Sequence, residues 1–83
     1  MNKVQRNAIA ETLSAILRKL DKCEYRLAIA LNSGDADAVS RISARVEVLS
    51  AELKGADAVL TMLGYVRDHH DDGGSGYYTI EKL

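Results

Sequence analysis

The run Asp68-His69-His70-Asp71-Asp72 holds the side chains that bind divalent cations most often. His69, His70 and Asp72 are the candidate metal ligands, but their spacing suits the task poorly. Adjacent histidines on a helix point about 100° apart, whereas a pair four residues apart would share one face. The plainer reading is a polar, solvated helix end whose imidazoles are favoured beside the exposed carbonyls. No metal or other cofactor is expected, and no catalytic residue is assigned.

Cys23 is the only cysteine, so no disulfide can form within the chain, and an unpaired thiol suits a reducing, cytoplasmic setting. It falls among apolar residues, as a small core hydrophobe would. The glycine-rich run Gly73-Gly74-Ser75-Gly76 is too short for a phosphate cradle and does not lead into a helix, so it reads as a flexible joint. Arg18, Lys19, Lys22 and Arg26 form a basic strip that could neutralise phosphates, although Asp21 and Glu24 interrupt it. No nucleic-acid motif accompanies the strip. Residues 1–31 carry six basic and three acidic side chains, and residues 32–83 five basic and nine acidic. The two halves are therefore expected to pair with each other or with another chain, and nucleic acid is not the expected partner.

These residues must be positioned by helices. Ile9, Leu13, Ile16, Leu20, Cys23, Leu27 and Ala30 recur at alternating spacings of four and three, the seam of a heptad repeat. Val39, Ile42, Val46, Leu49, Leu53, Ala56, Leu60 and Leu63 repeat the pattern. Absence of proline permits long helices, expected over about 3–31 and 36–69, with lengths of ~44 and ~50 Å at the standard rise. Between them Gly34 can end the first helix in the left-handed conformation and Asp35 can cap the second. So short a turn makes the helices antiparallel neighbours, with Cys23 near Ile42 or Val46 and Ile16 near Leu49 or Leu53. Residues 1–72 then form one helical hairpin. Residues 73–83 form a joint and a short non-helical tail with no strand partner in the chain: a floppy end, a strap packed on the hairpin, or a partner-binding strand using Tyr77, Tyr78 and Ile80, the first two being favoured.

The second helix carries more apolar positions than one neighbour can cover. Ala44, Val48, Ala51, Gly55, Ala58, Met62 and Tyr65 trace a second heptad line opposite the first. Its small residues would admit close approach of another helix, which would offset the roughly 1 kcal/mol that Gly55 costs inside a helix. An 83-residue chain also builds a marginal core unless a metal, disulfide or partner helps. The expectation is an all-α protein: an antiparallel, coiled-coil-like two-helix hairpin that dimerises into a four-helix bundle, with a tetramer as the alternative. The start has no continuous apolar stretch like that of a signal peptide, and no segment approaches a membrane span. The function expected is non-enzymatic: a homo-oligomeric adaptor, inhibitor or assembly factor that binds another protein. Small bacterial and mobile-element proteins of this kind share the look, a likeness of fold alone. The alternatives are a nucleic-acid-associated factor using the basic strip, and a small metal-binding protein using the His/Asp cluster.

Overall fold

A computed structural model describes residues 1–83. Helix α1 spans Lys3–Ser33 and helix α2 Ala36–Met62; strands β1, Tyr65–His70, and β2, Tyr77–Lys82, follow. Local chemistry explains each boundary. Asn2 and Gln5 form a capping box at the start of α1: Asn2 Oδ1 accepts from the Gln5 amide at 2.8 Å, and Gln5 Oε1 from the Asn2 amide at 3.0 Å. Gly34, at φ 69°, closes α1 with its amide 3.3 Å from the Leu31 carbonyl, while the Asp35 amide reaches the Ala30 carbonyl at 3.0 Å. Asp35 Oδ1 then accepts from the Ala38 amide at 3.0 Å and starts α2.

The helical hairpin is as expected, but the chain is neither all-α nor a four-helix bundle. Residues 65–82 form an antiparallel β-hairpin, with Tyr65 opposite Lys82 and His70 opposite Tyr77. Helix α2 stops at Met62 rather than near 69 because Gly64, at φ 83°, turns the chain out of the helix. Strand β1 places Tyr65, Arg67 and His69 on one face and Val66, Asp68 and His70 on the other. The tail therefore has a strand partner in the same chain: the segment expected to finish the helix.

The sheet supplies the third layer of the core. Ala10, Leu13 and Ile16 of α1, Leu49, Leu53 and Leu60 of α2, and Tyr78 and Ile80 of β2 form one buried cluster. Ile16 does join Leu49 and Leu53, and Cys23 shares a concavity with Ile42. The heptad seam is fully buried chiefly where the sheet covers it. Toward the tip Leu20, Cys23, Leu27, Val39, Ile42 and Val46 are only half-buried, and Ala30 alone is enclosed. Ser14 anchors the layers: its buried hydroxyl oxygen accepts from the Tyr78 amide at 2.9 Å. That bond satisfies a strand-edge donor which would otherwise be buried without a partner.

Arg67 of β1 ties the sheet to α2. Its Nε and one terminal nitrogen donate to the two oxygens of Asp57, each at 2.8 Å, and its guanidinium lies 4.4 Å from the centre of the Tyr78 ring. The Arg67 hydrogen bond holds the Asp57 carboxyl below the usual carboxylate range. The stability it contributes is present above the ordinary carboxylate pKa and is lost as pH falls through the lowered one, in a window below about pH 4. Because Asp57 is 39% exposed, water screens the pair and its contribution is on the order of 1 kcal/mol. In thermal melts between pH 2 and 6, Asp57→Asn is expected to flatten part of the acid-side fall. An acid limb identical to that of the parent would show that the clasp contributes nothing.

Candidate functional site

The β-hairpin separates the residues that could have held a metal. His69 lies on the helix-facing side, edge-on to Tyr78, with Nε2 3.1 Å from the Ser75 carbonyl. His70 is on the outer side, stacked on Tyr77 at 5.1 Å, with Nε2 2.8 Å from Thr79 Oγ1 and 3.6 Å from Asp68 Oδ2. Asp72 instead shapes the turn, its Oδ1 accepting from the amides of Gly74 at 3.0 Å and Gly76 at 2.9 Å. No three His, Cys, Asp or Glu side chains converge as metal ligands. The reading of this run as a solvated helix end is corrected too, since alternation along a strand, not a 100° helical step, divides the two imidazoles.

The tail residues divide in the same way. Tyr78 and Ile80 are 7% and 4% exposed and belong to the core, so neither is free to meet a partner. Tyr77, at 44%, is the one of the three that offers surface. Of the roles open to the tail, packing onto the hairpin is the one it takes, as half of a β-hairpin.

On α2 the second apolar line faces outward. Ala44, Val48, Ala51, Gly55, Ala58 and Met62 are all exposed, Val48 by half and Met62 almost completely. Val59 and Leu63 add exposed apolar surface at the same end. Tyr65 drops out of this line: it opens β1, is half-buried, and donates its hydroxyl to the Met1 carbonyl at 3.1 Å. A Cβ built on Gly55 would touch nothing within 4 Å, so no contact within the chain requires glycine there.

The basic strip does not pair with α2, the first of the two pairings expected of it. The protein has one Arg/Lys ion pair, Arg67–Asp57, and a His70 Nε2–Asp68 Oδ2 contact at 3.6 Å, and neither links α1 to α2. Arg18, Lys19, Lys22 and Arg26 are exposed and find no acid of α2, because the side chains opposite the outer half of the strip include Arg41 and Arg45. Of the nine acids in residues 32–83, four lie in the β-hairpin and five at the turn or within α2, so neither part alone makes the asymmetry of the halves. Near the tip, Arg26, Arg41 and Arg45 line a cleft of about 300 Å³ with Cys23, Ala38 and Ile42. The rule that places Cys23 opposite Ile42 also places Arg26 opposite Arg41. The arginines of α2 are legible at that level, although nothing in the apolar pattern singles them out.

No helix of the chain is long and apolar enough to cross a membrane. Comparison with protein families, with curated proteins and with solved structures finds no match to this chain.

Proposed function

We propose that the protein is a non-enzymatic, self-associating interaction module that works by binding another protein. The observation that carries this reading is the outward apolar line of α2, from Ala44 to Met62, left uncovered after the chain has built its own three-layer core. A small domain gains from covering such surface. Alanine and glycine along the line let a second helix approach closely, and Val48, Val59 and Met62 supply area to bury. The simplest closed arrangement is a two-fold dimer in which the α2 outer faces meet. A reducing compartment such as the cytoplasm fits the unpaired Cys23.

The test is sedimentation velocity on the parent and on Ala51→Glu and Gly55→Leu. Both positions are exposed and the space at Gly55 is open, so the folded protomer tolerates either change. At the interface, a buried carboxylate or an added isobutyl group should weaken association by about a hundredfold. The expected result is a parent dimer and variants that sediment as helical monomers. A parent that sediments as a monomer at micromolar concentration, or variants that associate unchanged, would overturn the self-association.

A further inference from the structure

The fold brings three arginines to the walls of one cleft that no acid lines. Arg41 and Arg45 lie one turn apart on α2, and Arg26 of α1 meets them across the cleft that Cys23 and Ile42 floor. Like charges four residues apart on a helix oppose each other, and a third cation across the groove adds to that opposition. No acidic side chain lines the cleft, and none of the three takes part in an ion pair. Arg41 does turn its Nε toward Asp37, but it meets the backbone carbonyl at 3.4 Å rather than the carboxylate. The space, about 300 Å³, admits a phosphate group together with several waters of about 30 Å³ each.

All three cations are arginines. A guanidinium offers paired donors that match two oxygens of a phosphate, and it never loses its charge near neutral pH. Arg26 also borders a second concavity between α1 and the turn of the β-hairpin, lined by Arg18, Asp21, Lys22, Tyr25, Ile29 and Ser75, where two further cations outnumber the one acid. Tyr25 and Ile29 are 70% and 51% exposed, apolar ground for the organic part of a ligand whose phosphate sits in the arginine cleft. We propose that Arg26, Arg41 and Arg45 form a binding site for a phosphate group, with the remainder of the ligand directed over Tyr25. The source is a free phosphate compound or the backbone of a nucleic acid strand, and the chemistry at the cleft is the same.

The experiment titrates the isotope-labelled full chain with inorganic pyrophosphate, at an ionic strength matched with sodium chloride, and follows amide shifts. A parallel titration uses a short fluorescent oligothymidylate. Saturable shifts are expected in residues 23–26 and 38–45, with affinity at least about tenfold weaker in Arg41→Gln and Arg45→Gln, since each loses a charge-assisted pair of bonds. Lys3→Gln, remote from the cleft, should match the parent. Amide shifts outside the cleft report that each variant is folded. Cys23 gives a second readout: bound pyrophosphate should slow its alkylation by uncharged iodoacetamide in the parent, and not in Arg45→Gln. Binding of pyrophosphate alone assigns a free phosphate compound, and binding of the oligonucleotide, lost in the same variants, assigns a nucleic acid strand. Shifts spread equally over Lys3, Lys54 and Lys82, shifts reproduced by chloride, or affinities unchanged in both arginine variants would overturn the site.

Discussion

A chain ending at Asp72 is expected to lose its cooperative thermal transition. The deletion removes Tyr78 and Ile80, two of the eight core residues, and leaves β1 with its hydrogen-bonding edge unpaired. It also frees Ser14 Oγ of the Tyr78 amide and uncovers the α1 face at Ala10 and Ser14. Burial of the two side chains alone contributes on the order of 4–5 kcal/mol, against a total stability of about 5 kcal/mol for so small a domain. A point variant makes the same case without deletion. Ile80→Ala should cost about 3 kcal/mol, lowering the melting midpoint by roughly 10–20 °C. Circular dichroism at 222 nm, followed against temperature, reads both. A truncated chain that melts like the parent would show that the two helices are stable alone and that the sheet merely rests on them.

Gly76→Ala is expected to be the most damaging glycine replacement in the protein. The residue is buried at φ 81°, where an alanine costs about 1–2 kcal/mol for its backbone conformation alone. A Cβ there would also overlap the His70 carbonyl oxygen and the His69 ring. The ring can swing aside, but the carbonyl belongs to the backbone of β1, so the end of the β-hairpin must open. Opening it strains the bond from the Gly76 amide to Asp72 Oδ1. The total should reach about 3 kcal/mol or more. Gly64 and Gly73 also have positive φ but open space around them, and their alanine variants should lose only the conformational part, about 1–2 kcal/mol each. Urea unfolding at a common slope compares the three directly. Equal losses at positions 64, 73 and 76 would mean that the turn relaxes freely and the close approach carries no energy.

The sequence by itself determined the helical hairpin. An apolar residue every three or four positions leaves a helix only one face to bury, and Gly34-Asp35 supplies both a left-handed stop and a new cap. Those are local rules, so the turn, the antiparallel arrangement and the partnership of Ile16 with Leu49 and Leu53 could be read without coordinates. The outward line of α2 was legible for the same reason, from Ala44 to Met62, as was the basic strip of α1.

Only the tertiary structure decided the fate of residues 64–83. Tyr65-Val66-Arg67 carries on from the α2 apolar pattern with no proline, and the signal against a longer helix is the single Gly64, which helices often tolerate. What selects the strand is non-local: Tyr78 and Ile80 must reach the core over α1, Ser14 must accept from the Tyr78 amide, and Arg67 must meet Asp57 on the neighbouring helix. None of these contacts has a fixed spacing in the chain. They turn an isolated tail strand into the third layer of the core and split His69 from His70. The hairpin rule already sets Arg26 opposite Arg41, and only the tertiary structure shows Arg45 lining the same cleft with no acid among its walls, because which side chains share a space depends on how the two helices pack.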